Sequence, residues 1–232
     1  MKFTQRLKRA LIRKIRRFRF STKSSEKIFT HIYSKNLWGS SESFSGPGSS
    51  LEVTSDLRKQ LSELLIRREI RSILDCGCGD FNWMKEIGLG DIHYTGMEVV
   101  ADLVARNNKL HASPAVSFVV GDISKDELPL TDLVICRDVL VHLTNKEISL
   151  ALNNIASSGA KYLLATSFTG VENSDTFTGD WRPVNLQNSP YHLPSPIEII
   201  LEKGSGKKTS IEKQFCLWSN QQLVSAGFGK PS

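Results

Sequence analysis

No run of about 18 consecutive apolar residues occurs in the 232-residue chain, which excludes a membrane-spanning helix. The basic start is not followed by an apolar stretch and a small-residue cleavage site, so a secretory leader is not expected. Cysteine is scarce. The four present (Cys76, Cys78, Cys136 and Cys216) are too few for a disulfide scaffold, and a reduced, cytoplasmic chain is the expectation. No second Cys or His pair stands at zinc spacing beside Cys76 and Cys78, so no metal is expected there. Internal repeats are absent.

Acidic residues are missing altogether from residues 1–23, which hold ten Lys or Arg side chains. The net charge of +6 therefore divides unevenly: residues 24–232 hold 20 basic against 24 acidic side chains, a balance of −4. A basic arm is joined to a mildly acidic body, and a large phosphate-binding face is not expected on that body. Within the arm, Phe3, Leu7, Leu11, Ile15 and Phe18 recur at helical spacing as one apolar stripe. Three readings stay open for residues 1–23: an appended helix or tail without a specific role, contact with an anionic membrane surface or other polyanion, and an organelle transit segment.

The length suits one α/β domain over 24–232 with a proper core. Gly39 to Ser50 reads as a loop, and a helix follows from Ser55 with Leu57, Leu61, Leu64 and Leu65 on one face. From Arg71 the pattern alternates. Strands are expected at Ser72–Asp75, His93–Glu98, Val116–Val120, Asp132–Cys136 and Tyr162–Ser167. Helices are expected at Asn82–Ile87, Ala101–Leu110 and Asn145–Ser157, the last opened by a capping box of Thr144 and Glu147. Such alternation predicts a Rossmann-like, doubly wound, mostly parallel sheet of seven strands covered on both faces. Ile197–Glu202 and Glu212–Trp218, joined by Gly204-Ser205-Gly206, read as a closing antiparallel hairpin.

The chemistry concentrates in Asp75-Cys76-Gly77-Cys78-Gly79-Asp80-Phe81-Asn82, where a strand runs into a glycine turn. A dinucleotide fingerprint needs a third glycine where Asn82 stands, and Asp75 and Asp80 would repel a pyrophosphate. Two carboxylates suit a ligand that is cationic at this point. S-adenosylmethionine (SAM) is such a ligand, with its ammonium and sulfonium, and glycines let the backbone approach it. Glu98, at the end of the second strand, is placed to accept from ribose hydroxyls. Asp122 and Ile123, after the third strand, are placed to meet adenine by a hydrogen bond and by packing.

With these residues, 71–167 resembles the SAM-binding core of a class I SAM-dependent methyltransferase. The match is carried by Asp75-x-Gly77-x-Gly79, Glu98, Asp122 and Asp132–Cys136, with Asp138 to Leu143 following; Phe81 stands where the family often has glycine. Ser45–Ser50 and Cys78–Met84 also resemble a bacterial subgroup of that family, a likeness that names no substrate. The resemblance implies SAM as cofactor, held by Asp75, Gly77, Gly79, Asp80, Glu98, Asp122, Ile123 and Arg137.

Acceptor chemistry is expected beyond strands four and five. Asp138 and His142 are the candidate catalytic groups, with Asp138 also a candidate partner of the methionine ammonium. Arg137 is placed to bind an anionic acceptor or to pair with Asp138. Residues 168–196 read as an acceptor or lid loop carrying Trp181, Arg182, Asn185, Gln187, Tyr191 and His192. Trp38 and the Ser45–Ser50 loop are expected to cover the pocket from the other side. No Asn/Asp-Pro-Pro-aromatic motif follows strand four and no Pro-Cys nucleophile appears, which argues against the nucleic-acid enzymes that use them. The expected acceptor is a small molecule or sugar, methylated on oxygen or nitrogen. The rivals are a nucleic-acid or protein methyltransferase docked by its basic arm, and a non-catalytic SAM-binding module.

Overall fold

Strand β1 (Ser72–Cys76) is buried along nearly its whole length, and its side chains alternate between two apolar layers. Ile73 joins the layer of Leu133, Ile135, Leu164, Phe215 and Leu217. Leu74 and Cys76 join that of Val134, Cys136, Leu163, Ala165, Cys216 and Trp218. A period of two with both faces apolar needs cover on both sides, and helices supply it. The computed structural model describes residues 2–201 and 211–229.

The remaining strands are β2 (His93–Glu98), β3 (Val116–Val120), β4 (Leu133–Cys136), β5 (Tyr162–Thr169), β6 (Glu198–Leu201) and β7 (Glu212–Ser219). They form one seven-stranded sheet in the order β3-β2-β1-β4-β5-β7-β6. The first five strands are mutually parallel, and β7 lies antiparallel between β5 and β6. This is the expected Rossmann-like architecture with its antiparallel closing pair. The Gly204-Ser205-Gly206 connection lies outside the described residues.

Helix α3 (Ser55–Arg67) buries Leu57, Leu61, Leu64 and Leu65 at the spacing of one helical face, against the Ile73 layer. Helix α4 (Ala101–His111) adds Val104 to the same layer. On the opposite face α5 (Asn145–Ser157) buries Ile148, Ala151, Leu152 and Ile155, and α6 (Asn220–Ser225) adds Leu223. The Thr144–Glu147 capping box is present, with Glu147 N–H donating to Thr144 Oγ1 at 3.2 Å and Thr144 N–H to Glu147 Oε2 at 2.8 Å. Two further helices precede the sheet, α1 (Lys2–Phe20) and α2 (Ser25–Ser34).

One expected helix is missing. Asn82–Ile87 forms only a single 3₁₀ turn at Met84–Glu86. Gly77, Gly79 and Phe81 all have positive φ (72°, 57° and 59°), so helical geometry is interrupted up to Phe81. Gly88 follows immediately. Six residues between such breaks are too few to repay helix nucleation, and Trp83, Met84 and Ile87 are buried individually instead. The glycine turn therefore leads into no α-helix, and no helix dipole reinforces it.

Candidate cofactor and acceptor site

The chain order reverses between β1 and β4, so the crevice beyond their carboxyl ends is the place for a ligand in an open sheet. A cleft with a cavity volume of about 120 Å³ lies there. Its floor is Asp75, Gly77, Cys78, Gly79, Glu98 and Val99. Arg137, Asp138, Val139 and His142 form the wall beyond β4.

Two glycines bring the backbone to this floor. A Cβ on Gly77 would stand 2.4 Å from Val139 Cγ2, and one on Gly79 would stand 1.9 Å from Ser45 Oγ. Both adopt positive φ, so the turn requires glycine on two counts. Gly77 and Cys78 N–H donate to the carbonyl of Met97, tying the turn to β2.

Both floor carboxylates are buried. Asp75 Oδ2 accepts from the Tyr94 hydroxyl at 2.7 Å. Burial pushes the Asp75 carboxyl up to about 7, with Glu98 adding to the rise while Tyr94 and Arg137 oppose it. Glu98 accepts from three backbone N–H groups, Val99 at 2.8 Å, Gly79 at 3.2 Å and Val100 at 3.3 Å. Burial raises its carboxyl too, and those three donors counter the rise. A cation entering the cleft relieves both desolvated groups, whereas a phosphate would worsen them. The cradle and its carboxylates thus fit the methionyl and ribosyl ends of SAM.

Beyond β4, Asp138 takes a positive φ of 56° and pairs with Lys213 Nζ at 2.5 Å. Burial alone would raise the Asp138 carboxyl, but Lys213 and Arg137 outweigh it and hold it below the ordinary carboxylate range. Arg137 lies 5.2 Å over the Trp83 ring and donates to the Gly48 carbonyl at 2.9 Å. His142 sits with Nδ1 at 2.8 Å from the Asp180 carbonyl. Burial pulls the imidazole down from its usual value, against the Asp180 carbonyl and the Asp138 carboxylate.

The roof comes from upstream. Phe29 and Tyr33 of α2, then Trp38, Phe44, Ser45 and Ser49, close over the floor. Trp38 and His142 rings lie 5.3 Å apart. The sequence pointed to Trp38 and the 45–50 loop but not to α2. The i, i+4 pair Phe29 and Tyr33, followed by Trp38, is the aromatic cluster that could have signalled it.

Four expectations of placement change. Asp80 does not line the cleft: its carboxylate accepts from Ser43 Oγ at 2.9 Å and Phe44 N–H at 2.8 Å, latching the roof to the glycine turn. Asp122 turns into its own loop, accepting from Ser124 N–H at 3.0 Å and Ser124 Oγ at 2.7 Å and pairing with Lys125. Burial raises the Asp122 carboxyl, but Lys125 and Ser124 prevail and lower it. Ile123 is spent in the α5-side core.

The 168–196 loop lies away from the cleft as well. Arg182 is buried, donating to the carbonyls of Ser174 and Leu143 at 2.6 Å each and to Asn145 Oδ1 at 2.7 Å. Tyr191 is buried with its hydroxyl on Asn145 Oδ1 at 2.8 Å, and Asn185 Oδ1 accepts from Gln187 N–H at 3.0 Å. Trp181 is 55% exposed with its edge on Phe168, and His192 is exposed. None of these five lines the cleft. Instead Phe177 and Gly179 pack behind α2, where a Cβ on Gly179 would come 2.6 Å from Ile28 Cγ2. The loop props the roof. Among the described residues no three His, Cys, Asp or Glu side chains gather as a metal site.

Comparison with known proteins agrees with this geometry. A family model described as a methyltransferase domain matches residues 73–159. A malonyl-[acyl-carrier protein] O-methyltransferase of Erwinia billingiae is 23% identical over 161 residues, covering 67% of this chain and 61% of that protein. The chain thus spans about three fifths of the length of that curated relative. Among solved structures, the methyltransferase domain of bacterial CtHen1-CN superposes with a TM-score of 0.56 at 9% identity, over 72% of this chain and 99% of the other. Magnesium protoporphyrin IX methyltransferase from Synechocystis PCC 6803, with SAM bound, gives 0.53 at 14% identity, over 84% and 98%. At such identities these two likenesses speak to the fold. The matched segment contains the glycine turn, both floor carboxylates and the wall beyond β4, so residues 73–159 are similar to a methyltransferase domain, and S-adenosylmethionine is the cofactor that this cradle fits.

Proposed function

We propose that the chain methylates an oxygen or nitrogen of a small-molecule acceptor, sugars included. The observation that carries this reading is the roofed cleft, with two buried carboxylates on its floor and the His142 imidazole on its far wall. A cleft roofed by Phe29, Tyr33, Trp38 and Phe44 suits a small acceptor better than a polymer. The O-methyltransferase named among the relatives supports oxygen as the acceptor atom.

In this reading Asp75 holds the methionine ammonium and Glu98 the ribose hydroxyls, while Gly77 and Gly79 let the backbone lie against the methionyl chain. SAM, when bound, supplies a methyl carbon on a positively charged sulfur, a leaving group that needs no acid. The protein's work is then alignment, exclusion of water and disposal of one proton. A carbonyl only accepts, so neutral His142 donates from Nδ1 to Asp180 and keeps its lone pair on Nε2. His142, which lines the cleft, would accept the proton of an acceptor hydroxyl on Nε2. Asp138, pinned by Lys213, keeps a fixed negative charge beside it that steadies the resulting imidazolium.

The test uses labelled SAM and a cell extract split into low-molecular-mass and macromolecular fractions. Label should appear in the low-mass fraction and require His142 and Asp75. Label confined to protein or RNA would overturn the acceptor class, and tight SAM binding without transfer to any fraction would favour a non-catalytic module.

A further inference from the structure

Helix α1 is a 19-residue helix with nine Lys or Arg residues and no acid. Three of its apolar residues, Leu11, Ile15 and Phe18, face away from the body. Leu11 is 60% exposed, Ile15 51% and Phe18 84%, although all three fall on one stripe. The side chains of Phe3 and Leu7, which continue the stripe in the sequence, lie outside the described residues.

The way α1 is attached explains the exposure. Arg13 reaches Asp180 Oδ2 at 2.6 Å and Thr176 Oγ1 at 3.2 Å. At about 100° per residue, Arg13 stands roughly 200° round the helix from Leu11. The helix is therefore fastened by the side opposite its apolar stripe, and the fastening turns the stripe outward. Its last residue, Phe20, is buried against Ile28 and Ile32 of α2, so α1 is anchored to the element that also lends Phe29 and Tyr33 to the roof.

A solvent-facing row of Leu, Ile and Phe costs solubility and gains nothing for a monomer in water. Basic flanks around that row match a surface that is negative outside and apolar a few ångströms deeper. We propose that α1 docks this protein on an anionic phospholipid bilayer, lying in the interface plane with Leu11, Ile15 and Phe18 among the acyl chains and Lys14, Arg16, Arg17 and Arg19 among the headgroups. An RNA would use the basic residues alike but leaves the apolar row without a partner. This inference is independent of which acceptor is methylated.

The test is co-sedimentation of the full chain with vesicles of phosphatidylcholine alone, or mixed with phosphatidylglycerol. The chain should pellet with the mixed vesicles and stay in solution with the neutral ones. Leu11→Gln/Ile15→Gln/Phe18→Gln, which leaves every charge in place, should weaken that binding by about tenfold or more. Phe18→Gln alone, at a site too exposed to affect folding, should weaken it measurably. Equal pelleting of the triple variant and the wild type would overturn bilayer docking. So would tighter binding to single-stranded RNA than to mixed vesicles at equal charge concentration, unaffected by the triple change.

Discussion

Nδ1 of His142 lies 2.8 Å from the backbone carbonyl of Asp180, and that single contact decides which imidazole nitrogen carries the proton. Asp180 is in turn held by Arg13 through its carboxylate, so the candidate base is oriented from outside the cleft. The wall beyond β4 and the upstream helices meet at this one residue.

Replacing His142 by Gln should lower kcat toward a hydroxyl acceptor by about 10²–10⁴-fold while leaving SAM affinity nearly unchanged. Calorimetry and single-turnover transfer would measure the two separately. In the wild type, kcat should be flat above neutrality and fall as pH drops through the depressed His142 value. The same shift affects stability. His142's contribution is complete above its unfolded value near 6.5 and is lost as pH falls through the lower folded value.

Asp75 should release a proton when SAM binds. Its carboxyl sits at about 7 in the free protein, so it is largely protonated at pH 6, and an ammonium placed beside it favours the carboxylate. Calorimetry in buffers of different ionisation enthalpy should give about one proton released per SAM at pH 6, declining by pH 8. Asp75→Asn should show none. Because this folded value is raised, its stability effect runs the other way, with stability declining as pH rises from about 4 toward 7.

Glu98→Ala should weaken SAM binding by about 1–3 kcal/mol, since it removes the acceptor of three buried backbone donors. Unaltered affinity, with the protein still folded, would remove Glu98 from the site.

Gly79→Ala should dislodge the roof, because the new methyl would collide with Ser45 Oγ. SAM affinity should fall and cleavage by a broad-specificity protease should quicken within residues 39–46. Pairing Gly79→Ala with Ser45→Gly should recover part of the affinity. The positive φ at Gly79 leaves a residual penalty of roughly 1 kcal/mol.

Asp80→Ala should loosen the same roof from the other side by freeing Ser43 and Phe44. A loss of about 1–3 kcal/mol in thermal or urea unfolding is expected, with proteolysis again confined to the roof loop. Proteolysis unchanged from wild type would show that the latch does not hold it.

The sheet was readable from the sequence because β1, β4 and β5 are apolar on both faces, and the capping box of Thr144 and Glu147 marks the helix between β4 and β5. Leu57, Leu61, Leu64 and Leu65 gave α3 the same clarity. The places of Asp75 and Glu98 on the cleft floor were readable as well, since both stand within one residue of a strand's carboxyl end. Asp80 and Asp122 were not, because a carboxylate in a turn can serve either a ligand or its neighbouring N–H groups, and only distances to Phe44 and Ser124 separate the two. Arg182 and Tyr191 misled for a related reason. Their polar groups suit a lid, yet Asn145 and the carbonyls of Leu143 and Ser174 already satisfy them inside the fold. The α2 roof depends on contacts tens of residues apart in the chain, and the aromatic cluster of Phe29, Tyr33 and Trp38 is its one local signal.

β7 is the last described strand to be synthesised, yet it occupies an interior slot, pairing Tyr162–Thr169 on one side and Glu198–Leu201 on the other. Until residues 212–219 leave the ribosome, the eight-residue edge of β5 has no neighbour, and Phe215, Leu217 and Trp218 are missing from both layers. A nascent chain halted before that point carries a sticky, unpaired rim of the kind that invites aggregation. Completion of this sheet is thus postponed until β7 has been synthesised.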